Sequence, residues 1–145
     1  RFMPSDLFFK VMNRVHRGLL KVSGGRIGWT LRNMPVLELT TIGRRSGTPR
    51  SVMLTSPHQE DERFVIVASK GGESTNPDWF LNLRKTPHVI VTMKGDRTRN
   101  MISRVASAKD RERLWPMVIN KHRNYASYQE TTDREIPLVI IEPAD

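Results

Sequence analysis

The 145-residue sequence contains no cysteine, which excludes disulfide bonds, thiolate metal ligands and cysteine nucleophiles. Its four histidines, at positions 16, 58, 88 and 122, have no spacing typical of a metal site. No apolar run approaches the roughly 20 residues that a membrane-spanning helix needs. The sequence also offers no obvious carboxylate pair and no convincing Ser-His-Asp arrangement. The chain is therefore short of the side chains with which enzymes catalyse reactions without a cofactor.

Acidic residues are scarce in the first third of the chain. Residues 1–50 contain ten Lys or Arg and two Asp or Glu, whereas residues 51–145 contain fourteen and thirteen. The net charge of +9 is therefore concentrated in residues 1–50. Such an asymmetry predicts an anionic partner, and nucleic acid, an anionic membrane and a polyanionic small molecule all fit it.

Residues 5–22, within the N-terminal segment 1–25, have the pattern of a basic amphipathic helix. The cations Lys10, Arg14, Arg17 and Lys21 follow one another at helical spacing, opposite a face of Phe, Val, Met and Leu. The favoured interpretation is a surface helix with a solvated basic side. Contact of this helix with an anionic membrane is the alternative.

The rest of the chain predicts an α+β fold, and we expect residues 1–145 to form one domain. Strands are expected over residues 36–41, 50–56, 63–69, 88–94, 98–106 and 137–141, and helices over residues 78–85 and 108–121. Residues 57–62 (PHQEDE) are expected to form a polar hairpin loop, and Gly95-Asp96 a turn. In the second helix, Arg111, Glu112 and Arg113 should be exposed, and Leu114, Met117 and Val118 should face inward. Short turns imply antiparallel pairing in a closed or partly closed barrel.

The stretch TTIGRRSGTPR (residues 40–50) is a turn that carries three arginines, Arg44, Arg45 and Arg50. Guanidinium groups and the hydroxyls of Ser46 and Thr48 suit a phosphate or a carboxylate. The glycine spacing is not that of a nucleotide-binding loop of the Walker type. The alternative is an exposed turn whose arginines keep the edge of a sheet soluble.

Two aromatic stretches suggest a site for a flat molecule. Trp79 and Phe80 are neighbours, so we expect one to pack inside and the other to face a ligand or another subunit. His122, Tyr125 and Tyr128 recur every three residues, which puts their rings on one helical face. Such a face suits an organic substrate and a proton donor, although core packing explains each aromatic equally simply. Anion-binding and aromatic groups without catalytic ones favour chemistry by a bound cofactor.

Read in order, the motifs GRRSGTPR, ASKGG, NPDWFLNL and TDREIPLVIIEP resemble the deazaflavin-dependent nitroreductase family of actinobacteria. The resemblance extends over nearly the whole chain. It implies a split β-barrel like that of flavin reductases and pyridoxamine-phosphate oxidases, mostly antiparallel and with flanking helices. It also implies binding of reduced coenzyme F420, a deazaflavin that carries a phosphodiester and an oligoglutamate tail. This polyanion would explain the positive charge of residues 1–50.

The resemblance also implies roles for individual residues. Arg44, Arg45, Ser46 and Arg50 would hold the phosphate and the tail carboxylates. Ser51, Val52, Met53, Leu54, Thr55, Val67, Ala68, Ser69 and Lys70 would line the deazaflavin ring, and Asp78, Trp79, Phe80, Leu81 and Asn82 would close around it. Tyr125 and Tyr128 would face the substrate, with a tyrosine, Ser69 or water as proton donor. His122 stands where some members of the family have a third tyrosine.

The activity implied is transfer of a hydride from reduced F420 to a small organic acceptor, with quinones favoured over enones and nitroaromatics. The expected location is the cytoplasm, with the inner face of the cell membrane as an alternative, and a homodimer is expected. No metal or nucleic acid is expected. Two other functions stay open: an FMN-dependent enzyme of the same barrel class, and a non-enzymatic basic module that binds a polyanion or a membrane. Charge concentrated in one helix and one turn argues against a nucleic-acid groove.

Overall fold

The computed structural model describes residues 30–31, 34–93 and 97–144. These residues form eight strands: β1 (Thr30–Leu31), β2 (Met34–Ile42), β3 (Pro49–Thr55), β4 (His58–Glu60), β5 (Arg63–Val67), β6 (His88–Met93), β7 (Arg97–Val105) and β8 (Leu138–Pro143). They also form the helices α1 (Asp78–Lys85), α2 (Ala108–Lys121) and α3 (Asn124–Glu130). No helix within these ranges is long and apolar enough to cross a membrane. The predicted helix over residues 5–22 and the predicted turn at Gly95-Asp96 lie outside the described residues.

The strands form one curled antiparallel sheet in the order β3-β2-β6-β7-β8-β5-β4, with β1 paired to the start of β2. β3 and β4 lie at opposite ends of this order but are consecutive in the chain, so the sheet curls back on itself. Ser56, between them, joins the two ends of the sheet. Its backbone N–H donates to Pro35 O in β2 at 3.0 Å, and its hydroxyl donates to Val65 O in β5 at 2.8 Å. The expected antiparallel split barrel is confirmed.

Two hydrophobic cores lie on opposite faces of the sheet. The first core, which includes α1, consists of Leu37, Leu39, Ile66, Ala68, Trp79, Phe80, Leu83, Val89, Val91, Met101, Val139 and Ile141. The second core, which includes α2 and α3, consists of Met34, Val65, Val67, Leu114, Val118, Tyr125, Ile136, Leu138 and Ile140. Successive residues of β5 and β8 alternate between the two cores. Both faces of these strands are therefore buried, which explains why their sequences are continuous apolar runs.

Helix α1 has the predicted bounds, but its aromatic residues differ from the prediction. Trp79 and Phe80 are both buried in the first core, with 9% and 2% of their surface exposed, and their rings meet edge to face. The expectation that one of them would face outward is wrong. Leu83 is buried in the same core, and Asn82 is buried beside it. The covered arc of α1 is therefore wide enough to include neighbours about 100° apart.

The segment 57–62 is not entirely a loop. Its residues His58–Glu60 form β4, which pairs with β5, and the turn consists of Asp61 and Glu62 alone. Both turn residues have positive φ angles, 48° and 62°, as in the two-residue turns that fit the twist of a hairpin. β1 is a second strand that the sequence pattern does not predict.

Helix α2 also has the predicted bounds, and Leu114 and Val118 face the second core as expected. Met117 is 38% exposed, so its predicted inward position is wrong. Arg111 is half-buried rather than exposed. Its guanidinium lies 4.5 Å from the centre of the Trp115 ring, and this cation–π contact shields one side of the charged group from water.

Candidate functional site

The turn between β2 and β3 is held in shape by its own small residues. Gly43 N donates to Thr48 O and Gly47 N donates to Gly43 O, both at 2.8 Å. Gly47 has φ +71°, a left-handed conformation that glycine adopts without strain. The Ser46 hydroxyl accepts from Thr48 N at 3.2 Å. Ser46, predicted to bind phosphate, therefore bonds within the turn.

Arg44 connects this turn to helix α1. Its backbone N–H and its Nη1 donate to Asn82 Oδ1 at 3.1 and 2.9 Å, and its Nη2 lies 3.3 Å from Asp78 Oδ1. Lys85 Nζ donates to the Arg44 carbonyl at 2.8 Å. Asn82 in turn donates to Thr41 Oγ1 in β2 at 3.2 Å. The structure thus brings the predicted residues Arg44, Asp78 and Asn82 together, but bonds them to one another.

The other two arginines of the turn, Arg45 and Arg50, are exposed. An open cleft of about 340 Å³ lies beside the turn, lined by Arg44, Leu81, Arg84 and Lys85. The turn and the end of α1 therefore form one strongly basic surface, which suits an anionic group. Sequence reasoning missed Arg84 and Lys85, because basic residues at a helix C-terminus also interact favourably with the helix dipole.

Strand β3 places the residues predicted to line the ring on two faces. Val52 and Leu54 pack against the first core, and Met53 is buried on the opposite face. Thr55 shares that opposite face, where its hydroxyl lies 3.5 Å from the Tyr125 hydroxyl. Ser51 is exposed, with its hydroxyl 2.8 Å from that of Thr40. These side chains therefore cannot all line the same side of one ring.

The loop of residues 68–76 follows β5, which ends at Val67, two residues before the predicted strand end. Ala68 and Ser69 are buried, and Lys70 starts a short 3-10 turn with φ 48°. Lys70 Nζ donates to Thr75 Oγ1 at 3.1 Å and lies 3.9 Å from Glu73 Oε2. The lysine predicted to line the ring therefore holds its amine close to its own loop.

Arg134 organises this loop, and sequence reasoning missed it. Its guanidinium donates to Ser69 O and Asn76 Oδ1 at 2.8 Å, to Glu73 O at 2.9 Å and to Ala68 O at 3.2 Å. Burial lowers the pKa of this guanidinium below its ordinary value, and the charge of Glu73 partly opposes that effect. The signal in the sequence was weak, because an arginine between two acids (DRE) also fits a solvated surface.

The rings of His122, Tyr125 and Tyr128 lie together, as their spacing predicts. The Tyr125 ring centre is 6.4 Å from that of His122 and 6.0 Å from that of Tyr128, and both pairs meet edge to face. Tyr125 is 6% exposed, and its hydroxyl contacts Thr55 and, at 3.7 Å, Met34 Sδ. Burial, and then the charge of Lys121, lower the pKa of His122 below its ordinary value, which favours the neutral imidazole.

The model of the F420H(2)-dependent quinone reductase family matches residues 12–143 of the chain. The F420H(2)-dependent quinone reductase Rv1261c of Mycobacterium tuberculosis is 33% identical over 132 residues, which cover 88% of this chain and 87% of that protein. The putative F420H(2)-dependent quinone reductase Rv3178 of the same organism is 37% identical over 120 residues, which cover 81% and 98%.

Solved structures with similar sequences have a similar fold. An F420-H2 dependent reductase, FDR-A, has a TM-score of 0.65 and 36% identity over 74% of this chain and 94% of its own. A chain described as a domain-swapped dimer has a TM-score of 0.68 and 32% identity over 91% and 96%. A putative pyridoxamine 5'-phosphate oxidase from Listeria innocua, with 13% identity and a TM-score of 0.52, shares the fold. The chain belongs to the F420H(2)-dependent quinone reductase family.

Proposed function

We propose that this protein is an oxidoreductase that uses reduced F420 to reduce a quinone. The proposal rests on the position of β3 between two unlike surfaces. Arg50, at one end of the strand, continues the basic surface formed by Arg45 and the cleft beside α1. Thr55, at the other end, contacts the buried Tyr125 hydroxyl. These ends are roughly 17 Å apart along the strand, so a long molecule with an anionic tail and an aromatic ring suits both.

The residues present fit the coenzyme in a modified arrangement. Arg45 and Arg50, with Arg84 and Lys85 from α1, would hold the phosphate and tail carboxylates. Arg44 would act by fixing the turn to α1, since its guanidinium already bonds to Asn82. The ring would lie on the face of β3 that carries Met53 and Thr55 and against the segment Val67 to Lys70, while Val52 and Leu54 would support the strand from the first core. Trp79 and Phe80 would support it from the core, because they are buried there.

The coenzyme supplies the hydride when it is bound, and the chain would orient the acceptor and deliver or position the proton donor. Reduction of a quinone by a hydride also requires a proton on oxygen. The candidate donors are Tyr125, Tyr128, Ser69 and water. We favour Tyr125, because its hydroxyl lies 3.5 Å from that of Thr55, where β3 meets helix α3. Tyr128 would bound the space for the acceptor. Enones and nitroaromatics are the alternative acceptors, and the relatives named as quinone reductases favour quinones.

We also propose that residues 1–145 act as one domain and that the protein forms a homodimer. The domain-swapped dimer described for a relative at 32% identity supports the second statement. Nothing in the described residues bears on the contact of residues 5–22 with a membrane, which stays a prediction, as does the location in the cytoplasm.

Two measurements on the purified protein test this function. Fluorescence titrations with F420 and with FMN should give tight binding of F420 and weak binding of FMN. The single phosphate of FMN can contact fewer of the cations than the phosphate and tail of F420. Oxidation of reduced F420 should then accelerate when the protein and a soluble benzoquinone are both present. Preferential binding of FMN would support the flavin alternative, and oxidation no faster than with quinone alone would contradict the proposed activity.

A further inference from the structure

Arg134 holds the loop of residues 68–76 from a distant part of the chain. The loop acceptors of its guanidinium lie 58 to 66 residues earlier in the sequence. Nε donates to Glu73 O, Nη1 to Asn76 Oδ1, and Nη2 to Ala68 O and Ser69 O. Each nitrogen thus points to a different part of the loop. A lysine ammonium could not span these directions, because only the guanidinium presents its donors in a rigid planar fork.

The same loop touches the end of helix α3, which carries both tyrosines. The Thr131 hydroxyl lies 3.0 Å from Gly72 O and 2.7 Å from Tyr128 O. Gly72 has φ +85°, and a Cβ atom there would lie 2.1 Å from Thr131 Oγ1 and 2.8 Å from Tyr128 O. The backbone of the loop and the backbone of α3 are therefore in direct contact, and only glycine permits this approach.

Gln129 completes the connection between Arg134 and α3. Its Nε2 donates to Arg134 O at 2.7 Å, and its Oε1 accepts from Ile136 N at 2.8 Å. Gln129 is itself a residue of α3, so the backbone of Arg134 is fixed to the helix while its side chain is fixed to the loop. The loop 68–76 and helix α3 are therefore both hydrogen-bonded to Arg134, the loop through its side chain and the helix through its backbone carbonyl.

We infer that Arg134 is a positioning residue that sets the separation between the loop 68–76 and the tyrosines of α3. This inference rests on the proposed function, in which the start of the loop holds the coenzyme ring and the tyrosines face the acceptor. Displacement of reacting groups by about 1 Å can lower a rate by about 100-fold. Loss of the guanidinium fork should therefore slow the reaction while leaving the cations that hold the anionic tail in place.

The test compares Arg134→Lys with Arg104→Lys in the full chain. Arg104 is the matched control, since its guanidinium bonds to Glu142 and Asp110 and contacts none of the residues assigned to the site. Arg134→Lys should lower kcat for a benzoquinone by roughly tenfold or more, as expected for misplaced reactants. It should leave the dissociation constant for F420 nearly unchanged and should accelerate hydrogen exchange in residues 68–76. Arg104→Lys should behave as the wild type in all three.

Two outcomes would overturn the inference alone: wild-type kcat and exchange in Arg134→Lys, or an equal loss of kcat in Arg104→Lys. If Arg134→Lys did not fold, Thr131→Val would replace it, because that change keeps the shape of the side chain and removes the hydroxyl that bonds to Gly72 O in the loop and to Tyr128 O in α3. Faster exchange in residues 68–76 with a reduced kcat would support the inference, and wild-type values for both would overturn it. A wild-type protein that neither bound F420 nor oxidised its reduced form would overturn the proposed function, and this inference with it.

Discussion

Single residues of the same type have unlike environments in this site. Arg44 and Arg45 are neighbours in the sequence, but Arg44 bonds to Asn82 and Asp78 whereas Arg45 is exposed. The sequence predicted a basic turn and could not separate the two, because Asn82 lies 38 residues further along the chain. The same holds for Arg134, because three of its four acceptors are backbone carbonyls, which carry no signal in the sequence, and the fourth, Asn76 Oδ1, lies 58 residues away.

Tyr125→Phe tests whether the buried hydroxyl serves as the proton donor. The substitution keeps the ring in the second core and removes the contacts with Thr55 and Met34. If the hydroxyl is the general acid, the rate of quinone reduction should fall by about 100-fold, with F420 affinity nearly unchanged. Tyr128→Phe is the matched control and should lower the rate much less. Equal, slight losses in both variants would assign the proton to Ser69 or to water.

Secondary-structure elements were predicted where a local pattern decided them. Helices α1 and α2 have the expected bounds because proline and serine residues mark their starts and apolar residues recur at helical spacing. β4 was missed because its three residues are polar and turn formers surround them. It is stabilised by an ion pair across the molecule, in which Arg113 on α2 donates to both Glu60 oxygens at 2.9 and 2.7 Å.

The carboxylate of Glu60 should make stability depend on pH. Hydrogen bonds from Arg113, and then from His58, lower its pKa from 4.5 to about 2. Because the folded value is below the unfolded one, the stabilisation is complete above pH 4.5 and is lost as the pH falls towards 2. Glu60→Gln should lower the free energy of unfolding by about 1 kcal/mol at neutral pH. It should have no effect below about pH 2, where the carboxylate is protonated. A difference in denaturant unfolding that stayed constant with pH would contradict this, with exposed Glu62→Gln as control.

The contact between the loop 68–76 and α3 should make Gly72 intolerant of a side chain. Gly47→Ala is the matched control, because Gly47 also has a positive φ but has no atom within 4 Å of its would-be Cβ. The free energy of unfolding of the control should fall by only about 1 kcal/mol, the strain of an alanine in a left-handed conformation. Gly72→Ala should lower the free energy of unfolding by more, because Thr131 Oγ1 and Tyr128 O must move to make room for the new Cβ. Thermal unfolding of both variants measures the difference, and equal losses would mean that the loop and the helix are not in firm contact.

At the scale of the whole molecule, the sequence predicted the antiparallel barrel and the family, but not how the barrel closes. Alternating and continuous apolar runs identify the strands, and four motifs in a fixed order identify the family. Closure depends on Ser56, which bonds to residues of β2 and β5 that are remote in sequence. The division of β3 between a basic end and a tyrosine end was likewise visible only in three dimensions.

In the proposed function, β3 joins an anion-binding surface to the ring site of one long coenzyme. A fluorescence titration that compares F420 with its deazaflavin fragment lacking the phosphate and the tail tests this arrangement. At low salt, F420 should bind at least about tenfold more tightly, since charge-assisted bonds to Arg45 and Arg50 contribute more than about 1.4 kcal/mol. High salt, or the double substitution Arg45→Ala with Arg50→Ala, should reduce the difference, and Arg84 and Lys85 should account for what the double variant retains. Equal affinity of the wild type for both molecules at low salt would contradict this arrangement.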